Sequence, residues 1–580
     1  MVEYQGNIAA GGIALGQAFV FNPWMPCVER RSIEPEQTGG ELRALEAACA
    51  AARGELEAVI GRIRLDEPER AEIFAAHQSV LDDVEVLDEI QQAIKGKLYC
   101  ASWAISEVYD GFIRILAETE NTALSERASD MQDVCSRLLR CLAGGQEVTL
   151  ADLPGPCIVV AEELLPSDTI SGDAGKVLGS VCERGGVTSH TAIIARSYGI
   201  PALLGVKGAT QLLPTGTDLI LDALEGKVIA QPTLAETDHY SRLSSVQARR
   251  RAIVATYRDK AALTKDGVRI EVAANIGSAA PDELAASGYT DGVGLFRTEF
   301  LYMRAGQLPD EQTQYWAYRA VLQAFGARPV VLRTLDIGGD KTLDYKQLPH
   351  EDNPFLGRRA IRLCLAEPEV FHTQLKAALR ASVAGNLWLM IPMVGGLEEL
   401  RAAKRALQRA KDELDGESIA YSPDIKLGVM IEVPSAALIA DLLAQEADFA
   451  SIGTNDLIQY LTAADRLNGE VADYYQPFHP AVLRLIGQVC RAFASCGKPV
   501  AVCGELAGSP AGVVALLGLG VRKLSMSPTR VAEIKHLLAR ITADQAQRAV
   551  EDVLTMATTA EIEACLTGFV QGQVQPDGGC

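Results

Sequence analysis

A multidomain α/β chain that ends in a (β/α)8 barrel is predicted by three observations. Eight short apolar runs alternate with helical patterns from Val268 onward, strands and glycine turns fill the stretch from Cys157 to Pro232, and residues 36–144 read as helix almost throughout. At 580 residues the chain exceeds one ordinary domain and has material for several buried cores. Hydrophobic residues at 48% and charged residues at 22% are close to globular averages, which excludes wholesale disorder and fibrous designs.

Taken in chain order, a strand pair is expected over about residues 6–22. Residues 36–144 then carry strong helix formers, as in LRALEAACAAARGELEAVIGRI and ASDMQDVCSRLLRCLAG, and should form a helical subdomain. CIVVAEELLP, KVLGSVCERGG and GTDLILDALEGKVIA mark a compact α/β unit, so residues 1–35 and 145–233 are assigned to one domain interrupted by the helices. Residues 235–262 contain neither Gly nor Pro, and 234–262 are expected as one exposed linker helix, with Arg249 to Arg251 as its solvated basic face. The barrel is assigned to 263–580. Its strands are VRIEVAAN, DGVGLFR, PVVLRTLD, LWLMIPM, KLGVMIE, DFASIGT, PVAVCGE and VRKLSMS, with helices such as DEQTQYWAYRAVLQAF and LEELRAAKRALQRAKDEL between them.

Charge and cysteine usage narrow the function classes. The formal charge of −21 opposes nucleic acid and anionic membranes and suits a basic protein partner. The apolar stretch from Ile8 to Cys27 lacks a basic leader and is broken by Gly11, Gly12, Gly16, Asn22 and Pro23, so it does not read as a signal peptide. No apolar run is long enough for a membrane span. Thirteen scattered cysteines argue against a disulfide framework or a structural zinc site, and a soluble cytoplasmic protein is expected.

In (β/α)8 barrels chemistry gathers at the C-terminal ends of the strands. Those ends carry Asn275, Arg297, Arg333 with Asp336, Met393, Glu432, Asn455 with Asp456, Cys503 with Glu505, and Ser527. Arg297 and Arg333, joined by Arg359 and Arg466, offer planar forks for a polyanion. Glu432 and Asp456 could hold one Mg²⁺ together with substrate phosphate oxygens. Glu432 could equally be an ion-pair partner of a neighbouring arginine, and Cys503 a small buried core residue as well as a catalytic one.

A second centre is expected in GGVTSH, residues 185–190. Thr188 or Ser189 can cap a helix starting near His190, whose free N–H groups and positive dipole end would stabilise a phosphoryl group on the imidazole. The alternative is a capping or core histidine. The separate anion-binding rim favours the first reading, with phosphate moving from a barrel ligand to His190.

Together, GGVTSHTAIIAR, GVGLFRTEFLY, RTLDIGGDK, NPFLGRRAIR, SIGTNDLIQY and VAVCGELAG closely resemble Enzyme I of the bacterial phosphoenolpyruvate:sugar phosphotransferase system. The likeness runs from GNIAAGGIALGQAFVF through AEIFAAHQSVLDD to the final Cys580. It implies that phosphoenolpyruvate, held with Mg²⁺ or Mn²⁺ on the barrel, phosphorylates His190, which passes the phosphate to the phosphocarrier HPr in the first step of sugar uptake. It implies Arg297, Arg333, Arg359, Asn455 and Arg466 as substrate ligands, and Glu432 and Asp456 as metal ligands. Cys503 becomes the proton donor to the enolate, and Thr169 in LLPSDT the residue that orients the histidine. The helical subdomain is then the HPr-docking domain, the barrel the homodimerisation domain, and the phosphohistidine domain should swing between them. One departure is Val187, where the family commonly has Arg or Lys. A dikinase or phosphoenolpyruvate synthase would need a large ATP-binding domain, and no phosphate-binding glycine loop precedes Cys157.

Overall fold

A computed structural model describes residues 2–21, 28–63, 68–117, 122–145, 150, 153–164, 176–184, 192, 195, 199–303, 307–339, 341, 343, 345 and 351–574. The chain divides into two compact units, Met1–Arg250 and Arg251–Cys580.

The first unit is built on an eight-stranded sheet ordered β1-β8-β7-β3-β4-β5-β6-β2. Its strands are β1 (Val2–Gln5), β2 (Asn7–Ala10), β3 (Ile13–Val20), β4 (Cys157–Ala161), β5 (Val177–Cys182), β6 (Ala202–Leu204), β7 (Asp218–Asp222) and β8 (Lys227–Ala230). Strands β3 to β6 run parallel, and β4 is buried along its whole length, as its unbroken apolar run CIVVA requires. Two strands, β2 and β3, occupy the expected stretch of about residues 6–22 with β1 ahead of them, but they lie apart in the sheet and do not pair with each other. The chain breaks at Gly6, where a Cβ would lie 2.6 Å from Val206, and at Gly12, whose φ of +152° suits only glycine.

Between β3 and β4 lie five helices: α1 (Thr38–Ile63), α2 (Pro68–Leu81), α3 (Val84–Gly96), α4 (Ala101–Ala117) and α5 (Thr122–Leu142). They close over their own core, in which Leu56, Ile90, Tyr109 and Leu138 are fully buried. Asp83 starts α3 by accepting from the N–H groups of Glu85 and Val86, which satisfies two donors the helix cannot. Helix Leu234–Ala255 begins with a reciprocal Thr233–Glu236 cap and buries only Tyr240. Arg249, Arg250 and Arg251 are exposed on it.

The second unit is a closed parallel barrel of β9 (Glu271–Ile276), β10 (Val293–Arg297), β11 (Pro329–Arg333), β12 (Asn386–Ile391), β13 (Lys426–Ile431), β14 (Ala450–Ile452), β15 (Val500–Val502) and β16 (Lys523–Met526), with β16 pairing back onto β9. Each strand falls within one of the expected apolar runs or one residue beyond it. Outer helices cover it with stripes at helical spacing, such as Leu400, Ala403, Leu407, Ala410 and Leu414 on helix Leu397–Gly416. The interior is filled by Leu295, Val331, Trp388, Met390, Met430, Phe449 and Cys503, so it is a packed core. At its N-terminal end Lys426 and Lys523 lie over the Trp388 ring at 4.2 and 4.8 Å. Among the described residues no helix is long and apolar enough to cross a membrane.

Candidate active site

The opposite, C-terminal mouth of the barrel holds a chain of buried charges. Arg333, the last residue of β11, pairs with Glu299 and, at 3.0 Å, with Asp336. Asp336 also accepts from Arg359 Nε at 3.0 Å and Nη2 at 3.2 Å, and from Lys341 at 3.0 Å. Arg359 continues to Asp456 at 2.9 Å, and Arg466 reaches the other oxygen of Asp456 at 3.6 Å. Burying so many charges is costly, and each is tolerable only because it has partners. Burial alone would raise the Asp336 pKa, but Arg333, Lys341 and Arg359 together hold it well below the usual carboxylate range.

Glu432, which follows β13, behaves in the opposite way. Burial, reinforced by the neighbouring charges of Asp456 and Asp336, pushes its pKa up to about 8. One carboxylate oxygen accepts from the N–H of Met393 at 2.7 Å, a residue held at φ +56°, where non-glycine backbone is strained. Next to the other oxygen lies Gly453, where a Cβ would stand only 2.7 Å away. Only glycine lets the backbone pass this close to the carboxylate, and crowded carboxylates of this kind suit a divalent cation. Among the described residues no group of three or more metal-ligating side chains occurs. The pair Glu432 and Asp456 fits Mg²⁺, which takes one or two protein carboxylates and completes its shell with water and substrate oxygens.

A pH effect follows from that raised pKa. The folded protein binds a proton at Glu432 that the unfolded chain, with a carboxylate near 4.5, has already lost. Stability of the metal-free protein should therefore fall as pH rises from about 5 to about 8. Glu432→Gln should flatten this slope in urea titrations at several pH values, and an unchanged slope would assign the effect elsewhere.

Cys503 directly follows β15, with its thiol buried and directed toward the Ile452 carbonyl at 3.7 Å. Burial pushes its pKa up to about 11, opposed by Ser451 and the Arg333 and Arg297 guanidinium groups, so it is a thiol at neutral pH. Iodoacetamide, which needs thiolate and access, should modify exposed Cys496 long before Cys503 in peptide mass spectra. Equal modification of the two would contradict the buried thiol. Arg297 is the register partner of Arg333 and is exposed, over the Phe300 ring at 5.9 Å. Asn455 is fixed through its side-chain carbonyl, which accepts from Glu505 N–H at 3.0 Å and leaves the NH₂ as a donor. Asn275 is used internally, donating to the Cys503 carbonyl at 2.9 Å and accepting from Ser525 at 2.6 Å. His190, Thr169 and Val187 lie outside the described residues.

Comparison with known proteins bears on the whole chain. Residues 251–543 match the family model described as PEP-utilising enzyme, PEP-binding domain. Residues 5–127 match the N-terminal domain of PEP-utilising enzymes, and 153–226 their mobile domain. The chain is 43% identical over 564 residues to a phosphoenolpyruvate-protein phosphotransferase of Geobacillus stearothermophilus, covering 96% of each chain. It is 41% identical to that of Bacillus subtilis (strain 168), covering 97% of this chain and 99% of the relative. This chain belongs to the phosphoenolpyruvate-protein phosphotransferase family.

Two charged residues of this phosphotransferase family member escape a reading by strand ends. Glu299 opens the short helix Glu299–Met303 after β10, and Lys341 joins it to Asp336 with bonds of 2.8 and 3.0 Å. They lie in the segments GVGLFRTEFLY and RTLDIGGDK. Their pairing across 42 positions has no local periodicity to reveal it.

Proposed function

We propose that this protein transfers the phosphoryl group of phosphoenolpyruvate to its own His190 and then to the histidine of the phosphocarrier HPr, releasing pyruvate at the start of phosphotransferase-system sugar uptake. The observation that carries the reading is the barrel mouth itself, where buried guanidinium groups locked by Asp336 stand beside the Glu432–Asp456 pair. Phosphoryl transfer asks a protein mainly for positioning and charge neutralisation. Arg297, Arg333, Arg359 and Arg466 hold the phosphate and carboxylate, and Asn455 donates from its amide. Pre-paired arginines need not reorganise when substrate arrives, so their ordering has been met in folding. Glu432 and Asp456 would hold Mg²⁺, or Mn²⁺ in its place, supplying positive charge to the phosphate oxygens. Cys503, a thiol at neutral pH, donates its proton to the methylene carbon of the departing enolate. Thr169 orients the His190 ring, and Val187 leaves the phosphohistidine without the usual neighbouring cation.

In this reading the α/β domain of residues 1–35 and 145–233 carries the phosphate between the barrel, 263–580, and the helical HPr-docking domain, 36–144, with 234–262 as the linker. The barrel pairs two copies into a homodimer, and the protein works in the cytoplasm. The test is incubation with radiolabelled phosphoenolpyruvate and Mg²⁺. An acid-labile, base-stable label on the chain, matched by an equal amount of pyruvate, is expected. Label that depends on ATP, or pyruvate without label, would overturn the reading.

A further inference from the structure

Ser451 is a buried polar group with no role so far. It is the middle residue of β14, register partner of Ala501, and 1% exposed. Its hydroxyl makes no hydrogen bond among the described residues, an expensive state for a buried donor. Because Ala501 is its register partner, Cys503 two residues further on shares its face in the barrel interior, so the Cys503 thiol is the functional group next to it toward the C-terminal mouth. Together with Trp388, Phe449, Ala501 and Lys523, Ser451 also lines a small cavity of about 10 Å³. That is close to the room one water requires. Lys523 is ion-paired at 3.3 Å with Glu271, which is half exposed. Hydroxyl, cavity and ion pair thus line up from Cys503 toward the N-terminal mouth, away from the substrate side.

Cys503 needs such a route if it is the acid, and the inference rests on that reading. Once its S–H bond has broken and the C–H bond of pyruvate has formed, a thiolate remains in an apolar interior. We propose that Ser451 is a relay residue that returns a proton to Cys503 from the N-terminal end of the barrel. The Ser451 O–H proton passes to sulfur as the hydroxyl takes a proton from water in the cavity, so no alkoxide forms. Solvent replaces that proton and receives the one lost by His190 on phosphorylation, which closes the balance. Ser451 touches no reacting carbon; it acts through Cys503.

The test is isotope exchange by the full-length protein in D₂O, with Mg²⁺, phosphoenolpyruvate and carbon-labelled pyruvate. Carbon label entering phosphoenolpyruvate counts reversals of the transfer, and deuterium in the pyruvate methyl group counts escapes of the Cys503 proton to solvent. Ser451→Ala is expected to keep carbon exchange while deuterium uptake per exchange drops about a hundredfold, the lower end of what one proton-transfer group supplies. Ser451→Thr, which keeps the hydroxyl, should restore the ratio. A ratio unchanged in Ser451→Ala overturns the relay, and so does a parallel fall of both exchanges, which would mean a structural role. Cys503→Ser separates the underlying reading. If it retains both exchanges, Cys503 is not the acid; if it loses deuterium uptake while Ser451→Ala is normal, the relay alone fails.

Discussion

His190→Ala takes up no phosphate from radiolabelled phosphoenolpyruvate under conditions that label the unaltered protein stoichiometrically. The expectation rests on how the other histidines are employed. The chain has seven, and those described are engaged elsewhere. His77 is buried against Asp130 at 3.2 Å, His372 binds Glu413 at 2.6 Å, and His479 caps a helix by accepting from Ala481 N–H at 3.2 Å. His239 and His536 pack edge-on against Tyr240 and Tyr257. None of these five directly follows a barrel strand, so among the described histidines no substitute for the proposed nucleophile is offered. Measured by acid-labile counts on the chain, incorporation should fall to background. Equal label on both proteins would move the phosphate site to another residue.

The second large effect is expected for Arg359→Met. This guanidinium is the link between Asp336 and Asp456 and is 1% exposed. Methionine roughly matches the stem but leaves two carboxylates facing each other without it. Breaking a buried pair from one side costs about 3–5 kcal/mol, because the remaining charge stays buried. Asp336 retains Arg333 and Lys341, which places the effect toward the lower end of that range. Activity should fall by about 10²–10³ as a stabiliser of the transferring phosphate is lost. Urea unfolding and turnover with phosphoenolpyruvate check both parts. A variant as stable as the parent would mean that Asp456 takes up a proton or another cation instead.

The barrel was legible because parallel strands covered on both faces must be apolar without interruption, so LWLMI and KLGVMI stand out against polar helix faces. Strand ends such as Arg333, Glu432 and Cys503 could be placed on one mouth from the same runs. What those residues touch could not. Asn275 looks like a rim ligand in sequence, yet its amide donates to the carbonyls of Cys503 and Ser525 within the barrel wall. Met393 looks like a hydrophobic strand end, yet its backbone N–H, at a strained φ, steers Glu432. Glu299 and Lys341 acquire meaning only when loops after different strands converge. That β2 and β3, neighbours in sequence, pair with β6 and β7 and not with each other depends on strands about 200 residues away, which alternation of residue types does not express.

Helix Leu234–Ala255 has a consequence for reach. With Tyr240 its sole buried residue, it gains little from tertiary packing, the main source of helix stability in proteins. As a helix its 22 residues span roughly 33 Å, and unwound they can extend to roughly 70 Å. The distance between the two ends of this segment is therefore set by how much of it stays wound.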